Sequence, residues 1–263
     1  MKRLAAGLVL VLTATAAQAA DGDAPKRDWL VTVGLGAQIL PKYPGADDVL
    51  IAPLPRLDIR KEGDPLHFGA PDQGSGIGLL RSGSRFNFGP VLQFQGKRKE
   101  KDVGAAVGNV GFTAEPGLFA EGWLLPNLRL RAEGRQGIGG HKALVGDLSM
   151  DAVVRDDDRT IFSIGPRLRL GSAKYQRAYF GVTPAAAVRT GLPAYQPGGG
   201  VYAFGAVAGL LHQFSPRWGI WVYGGYDRLT DDAARSPIVR AFGSRDQFSG
   251  GVALTYTFNV HRH

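Results

Sequence analysis

Arg129, Arg131, Glu133 and Arg135 occupy every second position of Leu128–Gly137. In an extended chain that spacing places all four on one face. Guanidinium forks beside carboxylates can do one of two things. They can close on each other as ion pairs that fill a narrow interior, or they can line a passage for anions and small polar solutes. The same parity collects Arg56, Asp58 and Arg60, then Glu115 and Glu121, then Arg167 and Arg169, on matching faces of other extended runs. The filled interior is the preferred reading, because a small barrel can be closed by its own long side chains.

Catalytic chemistry finds no comparable grouping. His67 and His212 stand alone, His141 lies in a glycine turn, and His261 and His263 end the chain. Apart from the tail pair His261-Arg262-His263, none has zinc-ligand spacing on a strand or helix. Ser215 is near His212 but sits in a turn and lacks a Gly-x-Ser-x-Gly elbow. Gly34-Leu35-Gly36 lacks the third glycine and the following helix of a dinucleotide site. With no cysteine in the chain, thiol catalysis and disulfides are excluded. The expectation is a protein that is not an enzyme and has no cofactor and no metal.

The elements that must carry these charges are strands. In Gln247–Phe258, Phe248, Val252, Leu254, Tyr256 and Phe258 share one face, while Gln247, Ser249, Ala253, Thr255 and Thr257 share the other. Large apolar groups on one side and small polar groups on the other describe a strand between two unlike media. The pattern returns in Asp28–Ile39, Val49–Lys61, Arg85–Gln95, Thr113–Leu124, Leu128–Gly137, Gly146–Arg155, Arg159–Leu170, Val201–Phe214 and Trp218–Leu229, with two shorter runs at Leu66–Ala70 and Gly76–Leu80. Charges on the inward face cannot meet lipid, where each costs about 2–4 kcal/mol near the midplane. The prediction is an all-β fold, a closed antiparallel transmembrane β-barrel of about twelve strands. Ten is the alternative if Leu66–Leu80 lies outside the wall. Short turns near Lys61, Ser82, Pro126, Asp157 and Pro216 fall on one end, and long segments near Pro41, Gly96, Gly139, Gly171–Gly200 and Thr230–Arg245 on the other. Short periplasmic turns and long external loops are the outer-membrane arrangement.

Met1-Lys2-Arg3, an uncharged run to Ala17 and Ala17-Gln18-Ala19 read as a signal peptide, 1–19, cleaved after Ala19 and leaving 20–263 as one outer-membrane barrel domain. The formal charge is +8, two units of it on Lys2 and Arg3. The remaining basic residues alternate along strands instead of clustering, which argues against nucleic acid as a partner.

The segments Tyr179-Phe180-Gly181-Val182-Thr183-Pro184, Gly191-Leu192-Pro193-Ala194-Tyr195 and Gly198-Gly199-Gly200 are distinctive, as are Ser236-Pro237-Ile238-Val239-Arg240 and Gly243-Ser244-Arg245-Asp246-Gln247-Phe248-Ser249. With Tyr43-Pro44-Gly45-Ala46-Asp47-Asp48 and Gly117-Leu118-Phe119-Ala120, they make the chain resemble the MltA-interacting protein (MipA)/OmpV family of Gram-negative outer-membrane proteins. The resemblance implies a location in the cell outer membrane, in contact with its lipid. It also implies a non-catalytic scaffold role, joining a lytic transglycosylase to a bifunctional murein synthase in peptidoglycan remodelling. A small-solute or anion pore and a surface adhesin are the alternatives. One departure is the tail Asn259–His263 after Phe258, where such barrels usually end on an aromatic residue. The two strongest motifs fall in external loops. Their rigid prolines (Pro184, Pro193, Pro237) and contact-making residues (Tyr179, Tyr195, Arg240, Arg245, Asp246) suggest a lid, with Arg240 or Arg245 paired to Asp231, Asp232 or Asp246. Two mobile loops are the alternative.

Overall fold

The computed structural model describes residues 27–81 and 83–260. The expected signal peptide, and His261–His263 of the tail, lie outside the described residues. Asn259 and Val260 extend the last strand.

Alternation becomes strand at each long run expected. The strands are β1 (Trp29–Pro41), β2 (Val49–Pro53), β3 (Arg56–Lys61), β4 (Ser75–Gly76), β5 (Phe86–Gln95), β6 (Thr113–Leu125), β7 (Leu128–Gln136), β8 (Ile138–Gly139), β9 (Leu144–Asp156), β10 (Thr160–Gly171), β11 (Gly200–Gln213), β12 (Trp218–Leu229) and β13 (Asp246–Val260). They form one antiparallel sheet in the order β2-β1-β13-β12-β11-β10-β9-β7-β6-β5-β4, with β3 also on β1 and β8 on β6. The predicted Val49–Lys61 is interrupted because Pro53 and Pro55 cannot donate to the ladder. Leu54 between them turns inward and is buried.

Register sets the faces. Trp29 pairs with Val260 and Ile39 with Gly250, so Leu35, at 70% exposure, faces out while Thr32 is buried and meets Thr257 across the strand pair at 2.8 Å. Gly36 is required here, since a Cβ would lie 1.9 Å from the Val252 carbonyl oxygen. The sheet curls. Arg60 on β3 reaches Asp158, in the turn between β9 and β10, at 3.5 Å, although five strands lie between them in the ladder. Aromatic rings gather outward at both ends. Trp218 packs on Tyr256 and Tyr256 on Phe258 near the short turns, and near the long loops Phe94 stacks on Phe112 while Tyr226 packs tilted on Phe248. Such rings suit the two interfaces of a bilayer. None of the helices described is long and apolar enough to cross a membrane.

One expectation needs correction. Leu66–Ala70 is not a wall strand, and of Gly76–Leu80 only Gly76, with Ser75, is in regular strand. Residues 77–80 continue beside β5 through Ile77 N–H to the Pro90 carbonyl and Leu79 N–H to the Phe88 carbonyl. Residues 66–74 instead fold inward, because their apolar and polar groups find better partners inside than in a ladder. Leu66 N–H donates to Asp158 at 2.8 Å, and Phe68 packs edge-on against Trp123. Among the described residues, no ladder joins β2 or β3 to β4 or β5.

The long loops carry short helices, which the strand pattern did not address. They hold α1 (Glu100–Val103), α2 (Ala173–Phe180), α3 (Pro184–Thr190), α4 (Asp231–Arg235) and α5 (Pro237–Phe242). Thr183 and Ser236 cap α3 and α5 with proline at the first helical position, the pairing that starts a helix at least cost.

Candidate functional site: a closed ring of charge beneath an aromatic lid

Strands β6, β7, β9 and β10 each place charge on the inward face, and the side chains meet. Arg129 contacts Glu121 at 3.2 Å and Asp151 at 2.9 Å. Asp151 is shared with Arg167 at 2.8 Å, and Arg167 holds Asp72 through two nitrogens at 2.8 and 3.1 Å. Asp72 is shared with Arg169 at 2.8 Å, and Arg169 reaches Asp147 at 3.1 Å. Asp147 meets Arg135, which meets Glu133. Glu133 meets Arg131 at 2.8 Å, and Arg131 returns to Glu121 at 2.8 Å. Five arginines and five carboxylates thus alternate around a closed ring. Each member has a partner on both sides, so the cost of burying its charge is offset twice. Two guanidiniums also cover rings, Arg129 over Phe68 at 4.4 Å and Arg131 over Phe119 at 3.8 Å.

Other inward charges branch from this ring or lie beside it. Glu115 holds Arg135 at 3.1 Å and His141 at 2.9 Å, and Asp227 holds Arg169 at 3.3 Å. Arg60 pairs with Asp58 at 2.9 Å, and Asp58 also meets His67 at 2.7 Å. Arg56 lies over Trp221 at 4.9 Å and donates to the His67 carbonyl. The charges of β3, β6, β7 and β10 thus meet one another, or aspartates of other segments, on one face of the sheet. Sequence reasoning missed Asp72, Asp147, Asp151, Asp158, Asp227 and His141. Asp147 and Asp151 stand at the inward parity of β9 and were legible, whereas Asp72 lies between the two runs misread as wall strands. Burial would push the Asp72 carboxyl up, but Arg169 and Arg167 beside it hold it down at about 2.

Above the ring the interior changes character. Tyr175, Tyr179, Phe180, Val182, Ala233, Ile238 and Val239 are buried in one apolar cluster with Tyr43, Val103 and Val110. The loop holding α2 and α3 and the loop holding α4 and α5 pack on each other. Ser236 Oγ donates to the Phe180 carbonyl at 2.7 Å. Tyr195 Oη donates to the Asp232 carbonyl at 2.9 Å, and an Asp232 carboxylate oxygen accepts from Gly198 N–H at 2.7 Å. Arg98 is buried and donates to the Tyr179 carbonyl at 2.9 Å and the Gly108 carbonyl at 3.0 Å. Gly45 shows why its turn cannot carry a side chain. Its φ is +93°, and a Cβ would lie 2.9 Å from Val239 and 3.2 Å from Phe180. His141, edge-on to Tyr175 at 5.1 Å between ring centroids, joins this apolar layer to Glu115 and the ring below.

The expected pairing of Arg240 or Arg245 is corrected. Asp246 pairs with Arg228 at 2.6 Å and accepts from Tyr226, while Asp232 pairs with Arg235 at 2.7 Å. Arg228 and Arg235 thus take these two carboxylates, and Arg240 and Arg245 are exposed. Of the other motif residues, Pro184 and Pro237 open α3 and α5. Gly181 sits at the C-terminal cap of α2, Pro193 precedes the Val182–Tyr195 bridge, and Ser244 Oγ accepts from Asp246 N–H at 3.0 Å.

Ser215 and His212 are not brought together. Ser215 Oγ accepts from Trp218 N–H at 2.9 Å, and His212 meets Thr160 at 3.0 Å. Among the described residues, no three His, Asp or Glu side chains gather in a way that could hold a metal ion.

The sequence model of the family described as MltA-interacting protein MipA matches residues 33–258. No curated protein matches the chain. Among solved structures, an outer membrane channel from Pseudomonas putida F1 is 10% identical, with 92% of this chain and 100% of that chain covered and a TM-score of 0.43. The P. putida toluene transporter TodX is 11% identical, covering 91% of this chain and 92% of that one with a TM-score of 0.31. The outer membrane protease OmpT from Escherichia coli is 13% identical, covering 88% and 97% with a TM-score of 0.29.

Proposed function

Because the chain belongs to the MltA-interacting protein MipA family, we propose that it is a non-catalytic outer-membrane barrel that scaffolds murein-remodelling enzymes. The partners in this reading are a lytic transglycosylase and a bifunctional murein synthase, held at the inner face of the membrane. The barrel is closed, its seam lying between β3 and residues 77–80, with ten crossing strands, the short turns periplasmic and the lid outside. The observation that carries the reading is the occupied interior. Charge neutralises charge in the ring, residues 66–74 fill one side, and the aromatic layer covers the other end. A barrel filled in this way offers its outer surfaces for interaction.

The test is affinity purification of the tagged mature chain from outer membranes, paired with conductance of the same preparation in planar bilayers. Co-purification of the two murein enzymes with a silent bilayer is expected. Steady conductance without either enzyme would overturn the scaffold.

One observation favours a second reading, a gated anion passage. Asp72 is the ring member that does not stand on a wall strand. Removing residues 65–74 would leave Arg167 and Arg169 facing an unfilled lumen. Steady anion-selective steps from that deletion, with a silent wild type, would identify a plugged pore.

A further inference from the structure

At the lid end of β5, β6 and β8, an apolar row on the outer wall meets a basic rim. Phe94 is paired with Ala114, and Ala114 with Ile138, so the three lie side by side across the strands. Phe94 and Ile138 are 60% and 62% exposed, and Phe112 stacks on Phe94 with centroids 5.7 Å apart. Leu144, at the start of β9, extends the apolar surface.

Directly beyond this row the chain turns basic. Lys97, Lys99 and Lys101 follow β5, and Lys142 follows β8. The two loops touch, since Gly140 N–H donates to the Phe112 carbonyl at 3.0 Å. The run Lys97-Arg98-Lys99 is divided by function. Arg98 turns inward to hold Tyr179, while Lys97 and Lys99 are exposed. Lys142 has a left-handed backbone, φ 47°, an uncommon state for a residue with a side chain. Its neighbours His141 and Ala143 are both buried, which fixes the turn and leaves the Lys142 amine outside.

We propose that this edge binds a phosphorylated, multiply acylated lipid of the outer leaflet, its acyl chains on Phe94, Phe112, Ile138 and Leu144 and its phosphates on Lys97, Lys99 and Lys142. The assignment rests on the membrane-barrel reading with the lid outside. The apolar row supplies area for chains, and the lysines stand where headgroup phosphates begin. Compact ammonium groups on flexible stems suit phosphates of variable position, and each basic group near an anionic surface contributes enough to change affinity several-fold.

The experiment uses the mature protein in neutral detergent, titrated with bisphosphorylated lipid A or with the same lipid stripped of phosphate, and read by native mass spectrometry. Retention of the phosphorylated lipid at least about tenfold better than the stripped one is expected. The Lys97→Gln/Lys99→Gln/Lys142→Gln variant should lose that preference, and Lys61→Gln/Arg217→Gln at the turn end should keep it. Equal binding of both lipids, equal loss in the turn-end variant, or full competition by millimolar inorganic phosphate would each overturn the proposal. Heat-modifiable migration of every variant reports separately on the barrel. If the triple variant lacks it, Lys97→Gln alone is read instead, with a several-fold loss expected and no loss counting against the site.

Discussion

The ring and the lid fill the same interior with opposite chemistry. The ring is held by long-range attraction between charges that each have two partners, and the lid by aromatic contact and a few hydrogen bonds to carbonyls. Removing one ring member uncovers a buried charge on both neighbours. Removing one lid contact leaves the surrounding apolar packing in place. The interior therefore has a stiff charged layer and a layer that opens in parts, and substitutions distinguish them.

The largest effect belongs to Arg129, whose side chain is 1% exposed between Glu121 and Asp151. Arg129→Ala should cost about 3–5 kcal/mol, read as a lowered unfolding midpoint of the heat-modifiable band. A cost near that of an exposed change such as Asp47→Ala would erase the distinction between the layers. Gly45→Ala comes next. Its Cβ would press on Val239 and Phe180 in a left-handed backbone, a strain of about 1–3 kcal/mol. The loss should be confined to the lid, appearing as faster trypsin cleavage at Arg235 and Arg240 with the barrel midpoint unchanged. Ser236→Ala removes the cap of α5 and the bond to the Phe180 carbonyl, for about 1 kcal/mol, and should speed the same cleavages less.

The smallest effects are those of pH. Burial pushes the hydroxyls of Tyr43, Tyr175 and Tyr179 above the ordinary 10.0. The lid stability this represents is whole below pH 10 and is lost as pH rises through the raised values. Ultraviolet titration should show these three ionising after the exposed tyrosines, with protease sensitivity rising alongside. Asp232 works in the other direction. The Gly198 N–H, then Arg235, hold its carboxyl below 3.8, so its contribution is present above 3.8 and is lost as pH falls through the depressed value. Lid cleavage that begins well above pH 4 would separate it from Asp232.

The wall was legible because its two faces meet different media. Leu35 out and Thr32 in follow from parity alone, and the same parity put Arg129, Arg131, Glu133 and Arg135 inside. Residues 66–74 were not legible. Leu66, Phe68 and Ala70 alternate as a wall strand does, and nothing local tells that Asp72 lies beside arginines 95 and 97 positions away. His141 was hidden for the same reason, since its partner Glu115 is 26 residues distant. The lid helices left a signal that went unread in Thr183-Pro184 and Ser236-Pro237, where a capping hydroxyl precedes proline.

A closed alternating ring also constrains how this sequence can change by descent. Exchanging Asp72 with Arg167 keeps the total charge, yet it sets arginine beside Arg169 and aspartate beside Asp151. The mismatch moves to the next two links instead of disappearing. A swapped pair therefore gains little over either single change, unlike an isolated ion pair, which tolerates reversal. Only inversion of every sign around the circle restores alternation, and no series of single substitutions reaches it without passing through frustrated intermediates. The ring is a frozen choice of handedness in charge, open to loss but closed to stepwise reversal.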